Sequence, residues 1–228
     1  AKYYAATQVV DEARHVEAFA RYLDEKMPAT YPINENLKSL IDQVLRDERW
    51  DLVYLGMQVV IEGLALAAFG LMLGTTQEPL LKAMLRYVMA DEARHVAFGI
   101  LSLQELYEDM DAAEFRVRQE FAYEACNMMR RRTLNSELWP SFGISNAEIE
   151  ALLPSQESQQ RMQHLLFSKI VPNCKKLGLL DLRDGWLRER FQEMGIIQYE
   201  NWENTAEALT IGDAVEPILT DAAGPVTS

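Results

Sequence analysis

One five-residue string, Asp-Glu-Ala-Arg-His, occurs twice, at 11–15 and at 91–95, and no other feature of the chain constrains its fold as tightly. The flanks agree as well, Val10 matching Ala90 and Val16 matching Val96. The chain has three histidines in 228 residues, and the two copies take two of them. Residues three apart on a helix share a face, so each copy offers one carboxylate and one imidazole to a common point. Glu12 pairs with His15 in this way, and Glu92 with His95. Both pairs fall on apolar stripes of helical period. The first reads Ala5, Gln8, Val9, Glu12, His15, Val16, Phe19, Leu23, and the second Leu81, Leu85, Val88, Glu92, His95, Val96, Gly99. Both pairs are therefore expected to face inward. Burying four such groups is costly unless something balances their charge and hydrogen bonding. Glu62, on the stripe Leu55, Gln58, Val59, Glu62, Ala65, Leu66, Phe69, Leu73, brings a fifth group. Oxygen and nitrogen ligands in this ratio, with no thiolate among them, suit iron or manganese.

The rest of the chain reads as all-α, with no convincing alternating strand. A first helix runs from the chain start to about Lys26, where Pro28 and Pro32 break it. A second spans about 37–73, with a bend. A third follows Pro79 to about Met110. A fourth, over 112–134, ends in the basic run Arg130, Arg131, Arg132, where cations suit a helix C-terminus. Beyond 135 the pieces shorten. Ser145 with Glu148 reads as a capping box, and helices follow over about 156–177 and 186–194. The expected division is a helical bundle over 1–135, a helical appendage over 136–212 and a loose Pro/Gly/Ala-rich tail over 213–228. Composition narrows the partners. A net charge of −13 argues against nucleic acid, because phosphate binding needs clustered positive charge. The most apolar stretch, 63–73, is too short for a membrane span. Two cysteines, Cys126 and Cys174, make no disulfide framework, which points to a reducing, cytoplasmic setting.

Two Glu-x-x-His helices alternating with a helix that bears a single Glu resemble the ferritin-like di-iron carboxylate superfamily. The fuller Asp-Glu-x-Arg-His form looks most like its oxygen-activating branch: bacterial multicomponent monooxygenases, acyl-carrier-protein desaturases, ribonucleotide reductase small subunits and related ferritin-like oxygenases. The likeness covers about residues 1–110 and implies a four-helix bundle holding two iron ions, or one iron and one manganese, that react with O₂. It implies that Glu12 and His15 hold one metal, Glu92 and His95 the other, and that Glu62 bridges or caps. Asp11 and Asp91 match residues that accept the N–H of the ligand histidine on the opposite repeat. Arg14 and Arg94 match arginines that balance those carboxylates. Gln8 and Gln58, each four residues before a ligand Glu, are expected as further hydrogen-bond donors beside the ligands.

The superfamily has one more ligand, a Glu on a helix before the first Glu-x-x-His. Either the first bundle helix is missing from this chain, which is the preferred expectation, or Glu124 substitutes from the stripe Val117, Phe121, Glu124, Ala125, Met128. Where reductase subunits carry a radical Tyr, this chain has Phe19. Where monooxygenases and desaturases carry a Thr near bound oxygen, it has Ala65 and Leu66. The resemblance therefore implies an O₂-dependent oxidase or oxygenase acting on a small, apolar organic molecule by hydroxylation, desaturation or N-oxygenation. A ferredoxin or reductase would supply electrons, and the chain would form a homodimer. The alternatives are an iron-oxidising or iron-handling protein and a reductase-like radical subunit.

Overall fold

Capping side chains and prolines set the helix boundaries in the computed structural model, which describes residues 2–133, 139–152 and 157–202. The tail expected over 213–228 lies outside them. Helix α1 (Lys2–Lys26) stops just before Pro28. Helix α2 (Glu35–Arg46) opens on Asn34, whose side chain accepts from Leu37 N–H at 3.3 Å. The helix expected over 37–73 is broken at Asp47, which is extended. Its carboxylate takes both the backbone N–H and the guanidinium of Arg49 and turns the chain. From there α3 (Trp50–Tyr54), a π-helical segment (Leu55–Ile61) and α4 (Glu62–Thr75) run on as one helix of 26 residues. Helix α5 (Pro79–Asp109) begins with proline in its first turn, beside a Glu78 carboxylate that accepts from Leu81 N–H at 2.6 Å. Asp111 caps α6 (Ala112–Thr133) by accepting from Ala113 and Glu114. A 3₁₀ turn (Trp139–Phe142), α7 (Asn146–Leu152), α8 (Glu157–Lys176), α9 (Trp186–Glu193) and a last 3₁₀ turn (Ile197–Tyr199) complete the described chain. Ser145 and Glu148 make the reciprocal pair of a capping box at the start of α7. The fold is an all-α bundle, with no strand among the described residues.

A single hydrophobic cluster runs from Leu40 and Val44 of α2 through Leu55, Leu103, Tyr107 and Phe121 to Phe167 and Ile170 of α8 and Phe191 of α9. Helix α8 packs against α4, α5 and α6. Helices α8 and α9, beyond residue 135, contribute to this same cluster. Helix length alone could not separate a short appended helix from one that closes the core. The helix Trp50–Thr75 is long and apolar enough to cross a membrane, although the stretch 63–73 by itself is too short. It stands at the centre of the fold with Asp51, Gln58 and Glu62 all buried in it, as in a core helix. Gly56 in its π-helical turn lets α2 and α6 close on it, since a Cβ there would lie 2.4 Å from Val44 Cγ2 and 3.0 Å from Phe121 Cζ.

Helix α1 departs most from expectation. Its apolar stripe is real, but only Gln8 and His15 on it are buried. Val9, Glu12, Val16 and Leu23 are exposed. The helix meets the rest of the fold along a narrow seam, through α5 and a Phe19–Phe69 ring contact at 5.5 Å. An apolar face says what a helix can bury, not what covers it.

Candidate metal centre

Three helices bring the titratable groups together. Helix α1 carries Glu12 and His15, α5 carries Glu92 and His95, and Glu62 is the first residue after the π-helical segment. The Glu62 N–H still bonds five residues back, to Met57 O, so the widened turn sets where this carboxylate points. Glu62, Glu92, His15 and His95 are buried, and Glu12 is 48% exposed. Ligand atoms of Glu12, Glu62, Glu92 and His95 all lie within 4.8 Å of one another.

The two repeats face each other with an internal symmetry. Glu12 sets one oxygen 3.0 Å from His95 Nδ1 and the other 3.6 Å from His15 Nδ1. Glu92 does the same, at 3.4 Å from His95 Nδ1 and 3.3 Å from His15 Nδ1. Each carboxylate thus spans the two imidazoles, whose ring centroids are 6.3 Å apart. The expected division gave Glu12 and His15 to one metal and Glu92 and His95 to the other; here each carboxylate also faces the histidine of the opposite repeat. Spacing within one helix cannot show the crossing, because it arises where antiparallel helices meet. Glu62 joins the His95 side.

Behind the rings the repeats also cross. His15 Nε2 lies 3.1 Å from Asp91 Oδ2, and His95 Nε2 lies 3.3 Å from Asp11 Oδ2. Such a partner holds the proton on Nε2 and turns the Nδ1 lone pair inward. Arg14 pairs with Asp11 and reaches Asp91 at 3.6 Å, while Arg94 pairs with Asp91 and reaches Asp11 at 4.0 Å. Both arginines are exposed. Gln58 Nε2 donates to Gln8 Oε1 at 3.1 Å, in a buried layer one turn away from the carboxylates. The Gln8–Gln58 bond depends on Gly99, where a Cβ would sit 2.5 Å from Gln58 Oε1. Gly99→Ala is expected to expel the Gln58 amide and cost about 1–3 kcal/mol through overpacking, read as a lower melting temperature. Glu124 stands exposed on α6, outside the converging group. The buried stripe of α6 runs through Phe115, Arg118, Gln119, Ala122, Ala125, Cys126 and Met129, which turns position 124 outward. The crossed Asp pairs are what the family resemblance implied. The π-helical turn and Gly99 gave no signal that could be read from sequence.

The electrostatics call for cations. Three clustered glutamates and two aspartates face two arginines. Burial alone would lower both imidazoles, but the Glu12 and Glu92 carboxylates that face their Nδ1 atoms outweigh it and hold His15 and His95 at about 10. Glu62 is pushed up to about 8 by burial and then by the charge of Glu92. The same two imidazoles, facing Glu12 from either side, hold its carboxyl down at about 2. Protons thus occupy the centre where positive charge is needed. His15 Nδ1, His95 Nδ1, Glu62 Oε2 and Glu92 Oε2 are buried without a hydrogen-bond partner. Orphaned polar atoms are costly, and here they all aim at one point. Mutual spacings of 3.0–3.6 Å are what nitrogen and oxygen ligands show when they share an ion through bonds of about 2 Å. The residues fit metal ions. Asp91→Asn keeps the shape but not the acceptor charge, and is expected to weaken metal binding roughly tenfold to a hundredfold, measured by competition with a chelator.

No curated protein and no solved structure gives a significant match to the chain. The family model of p-aminobenzoate N-oxygenase AurF, a di-iron enzyme that uses O₂, matches residues 1–178. That stretch takes in both repeats, Glu62 and α8, and so reaches well beyond residue 110. A doubled Asp-Glu-Ala-Arg-His motif closing on itself across antiparallel helices, with its nitrogen and oxygen atoms unpartnered at the centre, agrees with this match: the chain belongs to the AurF family of O₂-dependent di-iron oxygenases.

Proposed function

We propose that this oxygenase N-oxygenates a small aromatic amine, at a centre where Glu12, His15, Glu62, Glu92 and His95 would hold two iron ions. His15 and His95 would supply nitrogen ligands, and the three glutamates oxygen ligands. The observation that carries the ligand assignment is the pair of carboxylates that each span both imidazole Nδ1 atoms. Support for an amine substrate comes from the family, whose model is that of a p-aminobenzoate N-oxygenase. The bound iron supplies the reduction of O₂.

The protein's own groups do the rest. Asp11 and Asp91 hold the Nε2 protons and so keep the Nδ1 atoms free to ligate. Metal uptake weakens as pH falls, because protons compete for the same nitrogens. The apolar helix around Glu62, with Leu64, Leu66 and Ala67 buried, keeps water from that side. Glu12 is the open edge of the centre, where a substrate can approach. A ferredoxin or reductase would return the electrons, and two chains would pair as a homodimer.

The experiment is anaerobic loading with Fe(II), iron analysis per chain, then O₂ with an electron donor and a panel of arylamines that includes p-aminobenzoate. Hydroxylamine or nitro products by mass spectrometry, with about two irons per chain, are the expected result. Oxygen consumption by iron-loaded protein that hydroxylates or desaturates carbon substrates and leaves every amine untouched would overturn the amine reading.

A further inference from the structure

Beyond the layer of Gln8, Gln58 and Gly99 lies a second layer that the oxygenase chemistry described above does not use. Tyr4 is four residues before Gln8, Tyr54 four before Gln58, and Phe98 sits next to Gly99. Their rings touch in sequence. Tyr4 and Phe98 have centroids 4.4 Å apart, Phe98 and Tyr54 6.1 Å, and Tyr54 and Trp50 5.5 Å. The inner end is tied to the metal-bearing helices, since the Tyr4 phenol donates to Arg94 O at 3.1 Å, one residue from His95. The outer end, Trp50, is 53% exposed. None of the four is buried, whereas the aromatic rings that fill the core (Tyr107, Phe115, Phe167 and Phe191) are fully buried elsewhere. Tyr54 also packs against the core, but core filling does not explain a file of rings that ends on exposed Trp50.

We infer that Tyr4, Tyr54 and Trp50, bridged by Phe98, form a one-electron path that drains oxidising equivalents from the centre to the surface when O₂ reacts without substrate. This rests on the di-iron reading of the centre. The direction follows from chemistry. Phenol and indole side chains give up an electron only to a strong oxidant, which O₂ activation supplies. A low-potential donor feeding the resting centre has no use for them. In each event one electron moves from Trp50 through Tyr54 and Tyr4 to the centre. The Tyr4 phenol, in an exposed hydrogen bond, releases its proton to water and regains it on re-reduction. At half-buried Tyr54 and exposed Trp50 the proton passes to water and is regained. A thiol in solution restores Trp50, and two such events join two thiols as one disulfide.

The test has two arms on the full chain. In the first, iron-loaded protein is exposed to O₂ without substrate or thiol, and tryptophan oxidation is mapped by mass spectrometry. Trp202, 48% exposed, is the internal control for random surface damage. Trp50 should be oxidised severalfold more than Trp202, Tyr54→Phe should remove most of that excess, and added thiol should suppress it. In the second arm, metal-free protein is oxidised at Trp50 by a laser-flash sensitiser. The indole radical should decay into a tyrosyl radical, severalfold more slowly in Tyr54→Phe. Equal oxidation of Trp50 and Trp202, or no effect of Tyr54→Phe in either arm, overturns the path. Iron content measured on the same samples reports separately on the metal centre, and the metal-free arm decides the path even if no iron binds.

Discussion

His95→Ala is expected to abolish O₂-dependent turnover and to cut bound iron from about two per chain to one or fewer, while helicity stays unchanged. The imidazole is 1% exposed, and its Nδ1 lies 3.0 Å from Glu12 and 3.4 Å from Glu92. Among the described residues it is the one nitrogen in the group that Glu62 joins. No other side chain among the described residues stands ready to replace it. The helix survives because alanine is the best helix former and α5 is held by Leu85, Val88, Leu103 and Tyr107 along the same face. His15→Ala should act in the same direction on the other ion. Asp91→Asn gives the graded version, a weakened centre and not a lost one. Elemental analysis and oxygen uptake on the same preparation check this, and full iron content with normal turnover in His95→Ala would sink the ligand assignment.

Asp51→Ala is expected to be the most damaging single change to stability away from the centre. Arg118 Nε and Nη2 donate to the two Asp51 oxygens at 2.8 and 3.1 Å, and both side chains are buried. A third bond runs from Arg118 Nη1 to Glu114 O at 3.1 Å. Removing the carboxylate strands a buried guanidinium, which costs about 3–5 kcal/mol. In a chain of this size that is a fall of about 10 °C in melting temperature. Replacing both partners with apolar residues of similar volume should recover most of the loss, because an absent pair is less costly than half of one. Thermal unfolding of the Asp51→Ala and Asp51→Leu/Arg118→Met proteins separates the two cases. If both lost equally, the pair itself would be stabilising and not merely satisfied.

Much of the centre was legible because its information is local. Glu12 with His15 and Glu92 with His95 are three apart, a helix puts such pairs on one face, and the duplication signals that two faces meet. The crossed Asp–His hydrogen bonds were an expectation of the family resemblance, not of the spacing. The limits appear where a property depends on what lies opposite. Val9, Val16 and Leu23 have the periodicity of a buried stripe, yet stand exposed because α1 touches the fold only along a seam. Glu124 shares a stripe with apolar residues, yet the neighbours of α6 select a different stripe to bury. Asp47 broke a helix that its flanking residues favoured, through a side-chain bond to Arg49 that period-counting does not register.

By itself, the sequence determined the helix class, the number of metal-seeking groups and their pairing by helix, because short-range geometry on a helix is nearly invariant. Only the tertiary structure decided that Glu12 and Glu92 each serve both histidines, that Glu62 leans to one side, and that α8 belongs to the core. Those are relations between helices, set by which side chains interlock when apolar surface leaves water, and the same apolar patterns are compatible with several ways of interlocking.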